Sequence, residues 1–148
     1  MRRRAAIVLS LLLVWAAICA NALADSASPP SFIVIVNPSN AVTTLDQAFV
    51  ADAFLKKITH WSNDEVIRPV DLVPGSPVRR RFTEGVLRRS VEAVKGYWQQ
   101  RIFSGRDVPP PELESDDEVV KYVLKYGGAI GYVSASANLS GSRVVTVR

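Results

Sequence analysis

The chain has very few of the side chains that carry most enzyme chemistry. It contains one cysteine, Cys19, and one histidine, His60. A single histidine cannot build a common zinc site, and the position of His60 at a predicted helix end favours capping or packing over general-base work. The acidic residues are scattered mainly over predicted helix surfaces, so they form no catalytic set. We therefore expect no enzyme activity, no metal and no cofactor.

The one long apolar run lies at the N-terminus. Arginines at residues 2–4 precede an apolar stretch over residues 5–20, and small residues follow at Ala22 and Ala24. This order is typical of a secretory signal peptide, so we predict export with cleavage after Ala24, which defines residues 1–24 as the signal peptide. A retained membrane anchor is an alternative, although the run is short for a bilayer span. Lipidation of Cys19 is disfavoured because Ile18 stands where a small residue is expected.

Most of the excess positive charge also belongs to this segment. The full chain has 18 basic and 14 acidic side chains, and residues 1–24 hold three of the arginines and no carboxylate. Export would leave 15 basic and 14 acidic residues, a net charge of +1, and we expect no nucleic-acid partner. Cys19 leaves with the same segment. Its loss excludes a disulfide scaffold, a thiolate nucleophile and a cysteine metal site in the exported chain.

The rest of the chain is long enough for one ordinary domain. Residues 25–31 are small and proline-rich and predict a flexible leader, so we place a single domain over residues 32–148. Strand and helix patterns alternate, which predicts an α/β fold, a layered sandwich with a mixed β-sheet. The predicted strands cover residues 32–36, 66–73, 129–133 and 143–147, and the predicted helices cover 45–58, 77–87, 90–104 and 115–126.

The most informative segment is residues 71–82, which has the pattern of a strand, a tight turn and the start of an arginine-rich helix. Ser76 is a good N-cap, and Pro77 suits the first helical position. Free backbone N–H groups and the helix dipole make such a start suitable for a tetrahedral oxyanion. Most serine-capped helix starts bind nothing, so a purely structural cap is the alternative.

Several separated segments together resemble the phosphate-type periplasmic binding proteins of ABC transporters. Residues 36–40 (Val-Asn-Pro-Ser-Asn) resemble that family's valine-asparagine-proline strand end, and residues 53–61 resemble its helix end with a tryptophan. Residues 67–82 resemble its strand, serine-capped turn and helix. Residues 127–133 (Gly-Gly-Ala-Ile-Gly-Tyr-Val) match its most specific signature. The resemblance implies the fold of one lobe of a type II periplasmic binding protein, a periplasmic location, and phosphate or a related oxyanion as ligand.

The family's serine-glycine-threonine loop carries over only in part. Ser76 matches its serine, whereas Pro77 and Val78 replace glycine and threonine. Pro77 has no N–H and Val78 offers an amide but no hydroxyl. Asp71 lies near the place of the family's arginine, where it would repel a dianion unless it accepts a ligand proton or pairs with an arginine. The candidate anion-binding residues are Gly75, Ser76, Val78, Arg79, Arg80 and Asp71.

The candidate replacements for the family's arginine are Arg68, Arg79 and Arg80, since a guanidinium can chelate two phosphate oxygens. The helical pattern itself turns Arg79, Arg80 and Arg81 mostly outward. A protein of this family has two lobes of about this chain's size. A single lobe leaves the site open to water, and dimerisation could rebuild a cleft.

The resemblance therefore predicts a non-catalytic, solute-binding-like protein with phosphate or a similar oxyanion as ligand. An envelope protein or transporter is a further expected partner. The competing hypothesis is an interaction or signalling module of the cell envelope that kept the lobe fold and lost the ligand, because a fold alone does not determine function.

Overall fold

The computed structural model describes residues 32–148, and the predicted signal peptide and leader lie outside them. Among residues 32–148, no helix is both long and apolar enough to cross a membrane. Strands and helices alternate along the chain. The strands are β1 (Phe32–Val36), β2 (Thr44–Leu45), β3 (Arg68–Pro69), β4 (Asp71–Leu72), β5 (Glu112–Leu113), β6 (Ala129–Ser134) and β7 (Arg143–Val147). The helices are α1 (Gln47–Phe54), α2 (Pro77–Gly85), α3 (Val91–Phe103) and α4 (Asp116–Lys125).

The main sheet is mixed, as predicted. Its strand order is β2-β7-β1-β6-β3. The apolar strand β1 lies at the centre and is antiparallel to both β6 and β7. The short strands β2 and β3 add parallel edges against β7 and β6. A separate parallel pair, β4 with β5, lies where the chain leaves this sheet and approaches α2.

Helices cover both faces of the sheet. Successive residues of β6 point to opposite faces. A Cβ atom at Gly131 would lie 2.8 Å from Cγ1 of Val119, so α4 packs directly on that face. On the other face the Tyr132 ring stacks on Phe82 with centroids 3.8 Å apart, and Phe54 lies 4.7 Å from Phe82. The predicted α/β sandwich is confirmed, with α4 on one face and α1 and α2 on the other.

The segments that carry the family resemblance meet in space. The Asn37 side chain, at the end of β1, donates to the Val123 carbonyl at 2.9 Å and so ties the strand to the end of α4. The indole N–H of Trp61 donates to the Gly128 carbonyl at 3.0 Å. A Cβ atom at Gly128 would lie only 2.0 Å from the Val66 carbonyl oxygen, so this close approach requires glycine. These residues hold the edge strand β3 against the core.

Two predicted elements differ from the observed ones. The helix predicted over residues 45–58 is only Gln47–Phe54, because Thr44 and Leu45 pair with β7 and residue 56 takes a positive φ of 51°. The strand predicted over residues 66–73 is divided in two. Its first part pairs with β6 and its second part pairs with β5, so the chain moves from the main sheet to the small one.

Candidate functional site

The candidate site lies where β4 turns into α2. The turn is closed by the Ser76 N–H, which donates to the Val73 carbonyl at 3.0 Å. Ser76 is the N-cap, as predicted, and its hydroxyl oxygen accepts the Arg79 N–H at 3.3 Å. The hydroxyl hydrogen remains available to donate. Because Pro77 at the first helical position has no N–H, the donors left at this start are the Ser76 hydroxyl and the Val78 amide.

The structure corrects the predicted orientation of Arg79. Only 4% of this residue is exposed, whereas Arg80 and Arg81 are exposed as expected. The Arg79 side chain folds back over the end of β4. Its Nη1 lies 2.7 Å from Oδ1 of Asp71 and donates to the Leu72 carbonyl at 2.5 Å. A buried carboxylate and a backbone carbonyl attract a guanidinium more strongly than the solvated helix face that the periodicity alone suggests.

Glu112 of β5 also belongs to this environment. Its Oε1 lies 3.5 Å from Arg79 Nη1, and its side chain is 41% exposed. The Glu112 carboxylate therefore contacts the guanidinium from the solvent side, while Asp71 holds it from below. Two carboxylates compete for one cation here, which leaves Arg79 with little positive charge to offer to a further anion.

Tyr132 also belongs to this site, although the sequence predicted only that it lies in a strand. Its hydroxyl donates to Oδ1 of Asp71, and the Leu72 N–H donates to the same oxygen at 3.0 Å. Asp71, Arg79 and Tyr132 therefore form one buried polar cluster beneath the start of α2. A sequence signal existed, since Tyr132 neighbours Gly131 and must point to the opposite face of the sheet. That face is the one covered by α1 and α2.

Burial dominates the protonation of this cluster. It raises the pKa of Asp71 to about 6, against the opposing effects of Arg79 and of the Tyr132 and Leu72 hydrogen bonds. Burial and the neighbouring Asp71 carboxyl also raise the pKa of Tyr132 above its ordinary value, so this hydroxyl stays protonated and acts as a donor. A carboxylate paired with a guanidinium repels an incoming anion much less than a free one would.

The remaining predicted site residues lie at the surface of the same start. Gly75 and Arg80 are exposed, and Val78 is half-buried. Residues 77–80 read Pro-Val-Arg-Arg, so the first turn of α2 contains no acidic side chain. Among residues 32–148, no group of three or more histidine, cysteine, aspartate or glutamate side chains is arranged to hold a metal ion. The site can therefore donate hydrogen bonds, from the Ser76 hydroxyl and the Val78 amide, at the positive end of a helix.

No protein-family model matches the chain. No curated protein matches its sequence. Solved structures match its fold. A phosphate transport receptor from Vibrio cholerae is similar with a TM-score of 0.61 and 18% identity over 79% of this chain and 46% of the receptor. PstS from Borrelia burgdorferi is similar with a TM-score of 0.61 and 14% identity over 80% of this chain and 47% of PstS.

A third similar structure contains bound phosphate. A phosphate ABC transporter substrate-binding protein from Clostridium perfringens, with bound phosphate, is similar with a TM-score of 0.61 and 23% identity. The match covers 79% of this chain and 44% of that protein. The chain thus spans less than half the length of the solved structures it matches. The resemblance to a phosphate-type binding-protein lobe is confirmed at the level of the fold.

Proposed function

We propose that this chain is a non-catalytic, exported solute-binding-like protein that holds phosphate or a related oxyanion at the start of α2. One observation carries the proposal. The two carboxylates near this start, Asp71 of β4 and Glu112 of β5, both lie against Arg79, at 2.7 Å and 3.5 Å, and the first turn of α2 has no acid of its own. The positive end of the helix is therefore free to receive negative charge.

The proposed contacts are few. The Ser76 hydroxyl and the Val78 amide donate to oxyanion oxygens, Gly75 lets the turn approach the ligand closely, and Arg80 supplies a nearby solvated charge. Arg79 acts from below, by neutralising Asp71. Since the site is open to water and Pro77 contributes no N–H, we expect affinity in the millimolar range, about 4 kcal/mol of binding free energy. A second copy of the chain, or an envelope transporter, that covered the site would raise this affinity.

The fold comparisons support this ligand class and do not extend to the whole activity. The similar proteins are phosphate receptors, and one holds phosphate. Transfer of that ligand to this chain rests on Ser76, since the glycine and threonine that follow it in the family are replaced by Pro77 and Val78. A periplasmic location and a transporter partner are proposed on the same basis.

A second candidate function is supported by the surface near the end of α3. Ile102, Phe103 and Val108 are 51%, 91% and 60% exposed, and they lie close together in sequence. Exposed apolar residues grouped in this way are typical of a protein-binding surface. In this alternative the lobe is an interaction or signalling module of the cell envelope.

Calorimetric titration with phosphate, with sulfate as the control anion and at low and moderate salt, tests the first proposal. The Ser76→Ala variant should lose at least about 5-fold in phosphate affinity, because one charge-assisted donor is removed. Ser115→Ala is the matched control, since it removes the equivalent cap of α4. Absence of heat at millimolar phosphate would reject the proposal and favour the interaction module.

A further inference from the structure

The outward face of α3 carries a glycine that the single chain does not explain. Gly96 is exposed and lies in the interior of this 13-residue helix. A Cβ atom built there would meet no atom within 4 Å beyond the neighbouring helix backbone, and Gly96 is not among the residues with a positive φ. Glycine destabilises a helix interior relative to alanine. No contact within residues 32–148 therefore requires glycine at this position.

Phe103 lies on the same face of α3. Seven residues make just under two helical turns, so Gly96 and Phe103 face the same direction, about 10 Å apart along the axis. Val94 and Trp98 are buried on the opposite side of the helix, whereas Phe103 is 91% exposed. Ile102 next to it is also exposed and enlarges the apolar surface. The face thus combines a projecting aromatic ring with a gap about two turns away.

The ring and the gap fit each other when two copies of α3 pack antiparallel. A two-fold axis midway between Gly96 and Phe103, beside Gln99 and Gln100, places Phe103 of each copy on Gly96 of the other. Because Gly96 has no side chain, the backbones can approach closely and the ring has room. Gln99 and Gln100 are exposed and can donate and accept hydrogen bonds across the axis. The surface is therefore complementary to itself.

The charges at the two ends of this face agree with the antiparallel arrangement. Glu92 is exposed in the first turn of α3, and Arg106 is exposed just beyond its last turn. Antiparallel packing brings Glu92 of each copy opposite Arg106 of the other, whereas parallel packing would bring like charges together. It also places the positive end of one helix beside the negative end of the other. Charge and shape thus favour the same pairing.

We propose that the exposed face of α3 is the interface of a homodimer, in which a second copy of this chain packs antiparallel about a two-fold axis near Gln99. The second copy then covers Phe103, in place of the different partner that the interaction-module hypothesis requires. One helix face makes a small interface, so we expect a Kd of about 10–100 µM. The proposal does not depend on the oxyanion site at Ser76.

Sedimentation velocity of the purified exported protein, from about 1 µM to about 1 mM, tests the proposal. The sedimentation coefficient should rise from that of a monomer to that of a dimer. Phe103→Glu should weaken dimerisation at least about 10-fold, because each interface loses two rings and gains two carboxylates. Leu124→Glu is the matched control, since Leu124 is an exposed apolar residue of α4, and it should leave the Kd unchanged. A monomer over the whole range would overturn the proposal and assign Phe103 to a different protein.

Gly96→Gln separates the interface from the fold of the single chain. Glutamine is a better helix former than glycine and its Cβ meets open space, so the dilute monomer should resist urea slightly better than the parent. The added side chain fills the gap that receives Phe103, so dimerisation should weaken at least about 10-fold. A Gly96→Gln variant that dimerises as tightly as the parent would overturn the proposal.

Charge reversal tests the antiparallel arrangement. Glu92→Arg or Arg106→Glu alone places like charges opposite each other at both ends of the interface, and each should raise the dimer Kd about 5-fold at low salt. The double variant restores the opposite charges and should return the Kd to within about 2-fold of the parent value. A double variant that dimerises no better than either single variant would overturn this arrangement.

Discussion

The helices α2 and α4 begin in the same way and differ in charge. Ser76 caps α2 and Ser115 caps α4, and each hydroxyl accepts the N–H three residues later at 3.3 Å. The first turn of α4 then carries Asp116, Asp117 and Glu118, whereas that of α2 carries none. The two helix starts therefore have the same kind of cap, but that of α4 carries three negative charges and that of α2 carries none.

The carboxylates of α4 have local partners. Asp116 accepts the Ser134 N–H at 3.2 Å, and the Ser134 hydroxyl also donates to it. Glu118 reaches back to the Glu114 N–H at 2.8 Å. The positive end of α4 is thus occupied by its own side chains. At the start of α2 the nearby carboxylate, Asp71 of β4, is instead paired with Arg79, so no side-chain carboxylate occupies this helix end.

Removing the ion pair should have the largest effect. Arg79→Ala leaves Asp71 buried without its cation, and we expect a loss of about 3–5 kcal/mol in the free energy of unfolding, measured with urea. Arg80→Ala, on the exposed face, should change it by less than about 0.5 kcal/mol. If Arg79→Ala cost less than about 1 kcal/mol, α2 would not depend on the cluster beneath it.

The protonation of Asp71 gives the next largest effect. Its pKa in the folded chain, about 6, lies above the ordinary value of 3.8. The folded chain therefore holds this proton more tightly, and the resulting stabilisation is fully present below about pH 4 and is lost as the pH rises through about 6. The change is about 3 kcal/mol.

Two measurements check this pH dependence. The carboxyl carbon resonance of Asp71 should titrate with a midpoint near pH 6, and urea unfolding should show the corresponding slope between pH 4 and pH 6. Asp71→Asn lacks the titrating group and should lack that slope. A midpoint below pH 4 would show that Arg79 outweighs burial in this cluster.

The two serine caps should have equal and moderate effects on stability. Ser76→Ala and Ser115→Ala each remove one accepted N–H, and each should cost about 1 kcal/mol of unfolding free energy. The comparison becomes sharper when phosphate is added. Phosphate should stabilise the Ser115→Ala variant as it does the parent chain, and it should stabilise the Ser76→Ala variant less. Equal stabilisation of both variants would place the ligand elsewhere.

The smallest effect tests the dipole of α4 directly. Asp117→Asn removes one exposed carboxylate from its first turn and should cost about 0.3–1 kcal/mol at low ionic strength. The loss should largely vanish at about 1 M salt, where exposed charges are screened. Persistence of the full loss at high salt would indicate a hydrogen bond of Asp117 rather than its charge.

Most of the architecture could be predicted from local pattern. The strands β1 and β7 have the bounds that their apolar runs predicted, and Ser76, Ser90 and Ser115 all accept an N–H as helix caps. These features depend on neighbouring residues only. The short edge strands β2 and β5 escaped prediction because strands of two residues carry almost no periodicity.

The buried position of Arg79 could not be predicted in this way. Three arginines in succession follow Val78, and helical periodicity assigns all three to the surface. Arg79 is buried because Asp71 and Tyr132 meet beneath it, although Tyr132 is 61 residues from Asp71 along the chain. Ile102 shows the opposite difference: Val94, Trp98 and Ile102 recur at four-residue steps, which predicts one buried helix face, and the structure leaves Ile102 51% exposed. Tertiary contacts decided both cases.

The antiparallel pairing of β1 with β7, in which Val34 lies opposite Val145, sets the two ends of the described unit side by side at the same edge of the fold. A few residues would suffice to join them, so a circularly permuted chain with new ends in an exposed loop should keep this topology. For the same reason the unit could be inserted into a loop of another protein with little loop-closure entropy. A lobe whose chain begins and ends at neighbouring points can be moved as one unit from one protein to another.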